Sequence, residues 1–143
     1  MSDIFDPKFG QVVALSYVVS NINTGASGTN TFMTLASAVN TLATMPYSGS
    51  VVGLGVKANA NVTTATAAFS VHKAGTAYAQ ASGITATLTT ASGSSNKGYG
   101  TLRPGVLTFV AGDGVGVNYA TATNYAATTV DYDAQLYVVF DPI

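Results

Sequence analysis

The stretch VDYDAQLYVVFD at residues 130–141 decides the fold class. Its apolar residues recur at every second position, and a strand places alternate side chains on opposite faces. One predicted face carries Val130, Tyr132, Ala134, Leu136, Val138 and Phe140, and the other carries Asp131, Asp133, Gln135, Tyr137, Val139 and Asp141. The second face changes from charged to apolar partway along. Its apolar part, at Tyr137 and Val139, is therefore predicted to enter an interface or to be covered by a loop of the same chain.

The same two-residue period predicts further strands along the chain. In a strand at residues 50–57, Val52, Leu54 and Val56 share one face, and the glycines between them indicate a bulge or the close approach of another backbone. The other predicted strands lie around Phe69 and Val71 before a hairpin turn at Gly75, at residues 84–89 and 99–101, at Leu107 and Phe109, and from Val115 to Tyr119.

Glycine, proline and aspartate mark the turns between these strands. Gly112, Asp113 and Gly114 are predicted to form a tight structural turn, because glycine accepts a positive φ and an Asp side chain bonds nearby amides. Pro104 and Gly105 are predicted to stop the strand that begins near residue 99. The glycines at 112, 114 and 116 lack the spacing of a dinucleotide-binding fingerprint, so this segment is interpreted as a turn and not as a phosphate site.

About eight to ten short strands separated by turns, with no convincing long helix, predict an all-β protein built as a single jelly-roll β-sandwich. Residues 32–45 fit either a helical face or two short strands, and their Thr and Val residues favour the strands. The length of 143 residues suits one domain. We assign residues 11–143 to the sandwich and residues 1–10 to an N-terminal arm.

The predicted arm is apolar but lacks the alternation of a strand. Ile4, Phe5, Pro7 and Phe9 are predicted to lie over a neighbouring subunit, with the two phenylalanines acting as anchors of the kind that dominate interfaces. A tail that simply leads into the first strand is the alternative, because termini fray unless they are tied down.

Charged residues are the scarcest feature of the composition: they make up 8% of the chain, against about a quarter in an ordinary soluble domain. The net charge is −1 and Glu is absent. A surface with so few charges predicts burial against copies of the chain or within a larger assembly; an uncharged, Thr-rich β-surface is the alternative. Five dispersed basic residues predict neither a nucleic-acid partner nor an anionic membrane partner.

The absence of cysteine excludes disulfides and thiolate metal sites. The first residues lack the pattern of a secretory signal, and no apolar run reaches the length of a membrane span, so we expect synthesis in the cytoplasm. His72 is the only histidine, which reduces nucleophile and base pairs to Ser or Thr with His72 and an Asp. We therefore predict no enzyme, no catalytic residue and no cofactor.

Two aspartates raise the question of a metal site. Asp131 and Asp133 lie on one predicted strand face, about 7 Å apart, and a calcium ion needs six to eight oxygen ligands. No Asp-rich loop supplies the remaining ligands. Two solvated charges that discourage edge-to-edge pairing are the preferred interpretation, so no metal site is predicted.

Three segments in this order resemble small jelly-roll proteins of tailed-phage virions, and most of all capsid decoration proteins. They are residues 47–56, residues 68–71 with the turn at Gly75, and residues 109–117 with the Gly-Asp turn. The similarity covers roughly residues 46–140. A Gly-Asp turn between apolar strands also occurs in trimeric jelly rolls of the tumour-necrosis-factor and complement-head type, so the motif specifies architecture better than role.

The resemblance implies a homotrimer that binds the major capsid protein on the outer surface of a phage head and cements the shell. The chain would then be a structural protein of the virion, made in the host cytoplasm. Tyr119, Tyr137 and Val139 are the predicted trimer-interface residues. A receptor-binding or fibre-tip head is the alternative, in which loops at 92–97 and 120–128 would contact host glycans.

Overall fold

The computed structural model describes residues 11–22, 30–36, 42–60, 66–74, 80–89, 97–121 and 130–142. The regular elements of these residues are the strands β1 (Val12–Ile22), β2 (Asn30–Phe32), β3 (Thr34–Leu35), β4 (Ala43–Thr44), β5 (Gly49–Ala58), β6 (Thr66–Ala74), β7 (Gln80–Thr89), β8 (Lys97–Thr101), β9 (Leu107–Phe109), β10 (Gly114–Thr121) and β11 (Val130–Phe140). Within this part of the chain, no helix has the length and apolar character of a membrane span. The predicted arm residues Ile4, Phe5, Pro7 and Phe9, the predicted turn at Gly75 and residues 92–96 and 122–128 of the two predicted loops lie outside the described residues. The remaining residues of those loops lie in strands, Lys97 in β8 and Ala120 and Thr121 in β10.

The strands form two antiparallel sheets. The first sheet has the order β3-β1-β11-β5-β8, with β9 also paired to β5, and the second has the order β2-β10-β6-β7, with β4 also paired to β10. The chain crosses repeatedly from one sheet to the other, so that strands distant in sequence become neighbours, which is the connectivity of a jelly roll. The predicted all-β jelly-roll sandwich is confirmed. Residues 32–45 fitted a helix or strands in the sequence, and their described ends contain the strands β3 and β4.

The core lies between the sheets and follows the predicted alternation of β11. The buried side chains of this strand are Val130, Tyr132, Ala134, Leu136 and Val138. From the second sheet, Phe69 packs its ring edge-on against Tyr132 with 5.1 Å between ring centroids. The alternation therefore arises because one side of the strand faces the other sheet and is removed from water.

Tyr17 of β1 links the two sheets and is fully buried. Its hydroxyl donates a hydrogen bond of 2.6 Å to the carbonyl oxygen of Val115 on β10. Burial raises the pKa of this hydroxyl far above its ordinary value, because the phenolate form would lose its hydration. The strand that carries Tyr17 is missing from the strands predicted from the sequence.

Strand β5 contains a bulge that corrects one prediction. On β11, Tyr137 lies opposite Gly53 and Val138 lies opposite Val51, so Val52 is an extra residue without a partner on that side. One extra residue reverses the alternation beyond it. As a result Val51 is buried in the core and Val52 is only half-buried, and the prediction that Val52 faces the same way as the buried Leu54 and Val56 is wrong.

On its other side β5 pairs with β8 and then with β9, and the break between these two strands lies at the level of Val52. The Leu102 amide donates to the Val52 carbonyl oxygen at 3.0 Å, and a turn then separates β8 from β9. In this turn the Val106 amide donates to the Arg103 carbonyl oxygen at 3.3 Å. Gly105 has a φ of +86°, the conformation that a type II turn requires at its third position. Strand β8 thus ends just before the turn that was predicted at Pro104 and Gly105.

The predicted turn at residues 111–114 leads from β9 in the first sheet to β10 in the second. Gly112 has a φ of +92°, and the Val110 amide donates to the Asp113 carboxylate at 2.9 Å. The Met45 amide donates to the Asp113 carbonyl oxygen at 2.8 Å, and Lys73 Nζ lies 3.3 Å from the same carboxylate. One aspartate therefore joins the turn, the segment before β5 and the end of β6.

Replacing Asp113 with asparagine is expected to lower the melting temperature at neutral pH. The hydrogen bond from Val110, and secondarily Lys73, lowers the pKa of this carboxyl below its ordinary 3.8. A group with a lowered folded-state pKa stabilises the fold above its unfolded pKa, and this stability disappears as the pH falls through the folded value. Thermal unfolding of both proteins across the acid range should show the difference shrinking. Lys73→Met, which keeps the Val110 bond, should lower the melting temperature less than the Asp113 substitution does. An equal or larger decrease would contradict the conclusion that the Val110 bond contributes more than Lys73.

Candidate association surface

The face of the first sheet that points away from the core presents side chains in three rows across β1, β11, β5 and β8. The central row is Ser16, Gln135, Gly55 and Tyr99; the row on one side is Ala14, Tyr137, Gly53 and Thr101; the row on the other side is Val18, Asp133, Lys57 and Lys97. Charged residues thus occupy one side of this outer face, and apolar and aromatic residues occupy the other.

A groove of about 1070 Å³ lies in this face, and we call it the Gly55 groove. A Cβ atom placed on Gly55 would meet no other atom within 4 Å, so the floor of the groove is open. Its walls are formed by Ser16, Gln135, Tyr137, Lys57, Asp133 and Tyr99. Ser16 Oγ lies 3.0 Å from Gln135 Oε1 and 2.8 Å from Gln135 Nε2, which holds the amide of Gln135 in place.

Two tyrosines of the outer face stand opposite glycines but behave differently. The Tyr137 ring covers Gly53, since a Cβ atom on that glycine would lie 3.3 Å from Tyr137 Cδ2. Tyr99 is 83% exposed and leaves Gly55 uncovered. Its cross-strand partner on β5 is Gly55, which offers no side chain to pack against it. Tyr99 was not predicted as a site residue, although a lone aromatic between two glycines in a strand is a signal that was present in the sequence.

The three residues predicted for a trimer interface lie in different surroundings. Tyr137 is 39% exposed, and Val139 is half-buried beside the exposed Val12 of β1. Tyr119 is 5% exposed and belongs to the core of the single chain, so it offers little area to a neighbour. An interface at Tyr137 and Val139 stays a prediction, and Tyr99 joins the candidates for it.

The first sheet has a second apolar region at the end where β1 begins and β11 ends. Val12, Tyr47 and Val110 are each more than half exposed there. The Tyr47 ring packs edge-on against Phe140, with centroids 5.8 Å apart. We call this region, formed by Val12, Tyr47, Val110 and Phe140, the apolar end. Exposed apolar side chains at one end of a small domain make this region a candidate contact surface.

The aspartates considered for calcium have other roles. The Asn59 side-chain amide donates to Asp131 Oδ2 at 3.2 Å, and the Asp131 amide donates to Asn59 Oδ1 at 3.0 Å. Asp133 lies opposite Lys57 on the neighbouring strand. Among the described residues, no group of three His, Cys, Asp or Glu side chains is placed to hold a metal ion.

His72 lies on the outer face of the second sheet. Its Nε2 atom lies 3.2 Å from Ser70 Oγ, the pairing that a serine nucleophile would need. Ser70 is buried, however, so its hydroxyl is not accessible to a substrate. Partial burial lowers the pKa of His72, which favours the neutral ring. This pair is therefore better explained as part of the sheet's own hydrogen bonding than as a catalytic site.

Comparison with solved structures identifies proteins of similar fold. A chain of the capsid asymmetric unit of cyanophage Pam1 matches with a TM-score of 0.50 and 17% identity, covering 98% of this chain and 90% of that chain. A chain of the acid-stable capsid of Helicobacter pylori bacteriophage KHP30 matches with a TM-score of 0.49 and 12% identity, covering 90% and 92%. Murine APRIL matches with a TM-score of 0.45 and 12% identity, covering 91% and 100%. No family model and no curated protein sequence matches. At these identities the similarity is one of fold.

Proposed function

We propose that this chain is a structural protein of a phage particle: a homotrimeric decoration protein that binds the outer surface of the head and stabilises the shell. The observation that carries the proposal is the fold shared with a chain of the Pam1 capsid asymmetric unit, which extends over 98% of this chain. The sparse charge and the two exposed apolar regions of the surface add support, because a protein that stays in a permanent assembly needs apolar contacts more than it needs charge.

In this proposal the two exposed regions contact different partners. The outer face around Tyr99 and Tyr137 contacts other copies of the chain, and the apolar end around Tyr47 contacts the capsid. Each contact removes apolar area from water, which stabilises the assembly by about 25 cal/mol for each Å² buried. A trimer presents three apolar ends at once, so modest single contacts give tight overall binding through multivalency. No covalent chemistry is required.

The proposal is tested by mixing the purified protein with phage heads assembled without it. Co-sedimentation at a fixed stoichiometry, together with a higher temperature of head disruption, is the expected result. Binding without any gain in heat resistance would contradict the stabilising role. A stable trimer that fails to bind heads but binds purified host envelope would replace the proposal with a recognition module of a tail or fibre.

Replacing Tyr47 with aspartate is expected to weaken head binding at least about tenfold, because a charge at the apolar end would have to be desolvated in the contact. The trimer itself should persist, since Tyr47 lies away from the Gly55 groove. Ala60→Asp is the matched control: it adds the same charge at an exposed position beyond the opposite end of β5 and should bind normally. Equal binding by the Tyr47 variant and the control would place the capsid contact elsewhere.

A further inference from the structure

We propose that copies of this chain associate edge to face, with Tyr99 of one copy seated in the Gly55 groove of the next. The inference rests on the homotrimer of the proposed function and specifies its contact. It starts from a difference between the two tyrosine–glycine pairs of the outer face. Tyr137 fills the space above its own Gly53, whereas the space above Gly55 is empty and its partner Tyr99 projects into solvent.

The exposed ring and the empty groove match in chemistry. A tyrosine brings a large apolar ring with few rotatable bonds and a hydroxyl at its tip, which suits it to act as an anchor in a pocket. The groove offers the glycine floor and the Tyr137 ring to the apolar part. Gln135 offers its amide to the hydroxyl: its contacts with Ser16 leave a second N–H and further acceptor capacity for a new partner.

The positions of the two features decide the kind of contact. Tyr99 lies on β8, which ends the strand order of the first sheet and forms the outer wall of the groove, whereas the surface offered to an incoming ring, at Gly55, Gln135 and Tyr137, lies on β5 and β11 inside the sheet. A contact that joins an edge of one copy to a face of another uses two different patches. Contacts of this heterologous type close into a ring when the rotation between copies allows it, and three copies are the smallest ring beyond a pair.

The charges of the outer face support the same arrangement. Lys97 stands two residues from Tyr99 on β8, and Asp133 stands two residues from Gln135 on β11, on the same side of the central row. Lys57 lies between them in the row, so within one chain Lys97 and Asp133 are two strands apart. When Tyr99 enters a neighbouring groove, Lys97 is brought over Asp133 of that neighbour, and the opposite charges favour this register.

The test combines a filled groove with a cross-link. In a Gly55→Leu variant the side chain enters open space, so the fold should persist by circular dichroism while association weakens at least about tenfold by sedimentation velocity. Ala60→Leu, which adds a leucine at an exposed position outside the groove, serves as the control. Because the chain has no cysteine, Lys97→Cys and Asp133→Cys copies can be mixed and oxidised without background. Disulfide-linked pairs are expected in the mixture and in neither variant alone.

Each outcome separates this inference from the broader proposal. A wild-type protein that stays monomeric at all concentrations would overturn the proposed homotrimer. A stable wild-type trimer that tolerates Gly55→Leu, or that gives no cross-link in the mixture, would overturn only the edge-to-face contact. Cross-linking of the Lys97→Cys variant with itself would indicate a symmetric contact between like patches and would also overturn it.

Discussion

A Gly49→Ala variant is expected to lose about 3 kcal/mol or more of its free energy of unfolding, at the upper end of the cost of overpacking. A Cβ atom on Gly49 would overlap the Val139 carbonyl oxygen and would lie 2.9 Å from both Phe140 Cα and the Phe109 ring. Two of these neighbours are backbone atoms of β11, which is held on both sides by β1 and β5. The methyl group therefore cannot be accommodated by turning a flexible side chain.

Gly55→Ala is the matched control, because it adds the same methyl group to the same strand without a contact within 4 Å. Its unfolding free energy should stay within about 0.5 kcal/mol of the wild type. Urea denaturation of the three proteins at one fixed protein concentration measures both effects, since association would otherwise shift the apparent stability. Equal stability of the two variants would mean that the close approach at Gly49 is wrong.

Truncating Tyr17 to alanine is expected to cost about 3–5 kcal/mol, the range for a fully buried aromatic side chain. Tyr17→Phe separates the two parts of this effect. It keeps the ring and removes the hydrogen bond to the Val115 carbonyl oxygen, so it should cost only about 0.5–1.5 kcal/mol. If the two variants were equally unstable, the hydroxyl and not the ring would be the main contribution of Tyr17 to the junction between the sheets.

The same residue should give the wild type a distinct alkaline limit. The folded state raises the pKa of the Tyr17 hydroxyl above its ordinary 10.0, so the folded chain holds this proton where the unfolded chain releases it. Stability should therefore fall as the pH rises above the ordinary value. The Tyr17→Phe variant lacks the group and should lose less stability over the same range. Parallel losses in the two proteins would assign the alkaline limit to other groups.

The alternation of β11 could be predicted because the burial of one face repeats along its whole length. The orientation of Val52 could not, because a bulge depends on how two strands pair and not on the composition of either. The strand around Tyr17 carried the same two-residue period as β11, at Val13, Leu15 and Val19, and was available to the same argument.

The candidate surface was predicted in part. The change from charged to apolar along β11 indicated the region around Tyr137, whereas the empty space above Gly55 arises only when β5, β8 and β11 are brought side by side. Tyr119 was predicted to lie at an interface, but it lies in the core. An alternating tyrosine suits an interface and a core equally well, and its burial depends on which face of β10 meets the other sheet.

The extra residue Val52 has a consequence for the shape of strand β5. On one side it interrupts the pairing with β11, and on the other its carbonyl oxygen receives Leu102 where β8 gives way to β9. A bulge bends its strand and increases the local twist, and here the pairing of β5 changes on both sides at the same level. Strand β5 is thus divided at Val52 into two segments, whereas the pairing of β1 with β11 continues through this level. The Gly55 groove lies beside one segment and the apolar end beside the other, so a copy that joined its neighbours through the groove would keep the apolar end for a different body.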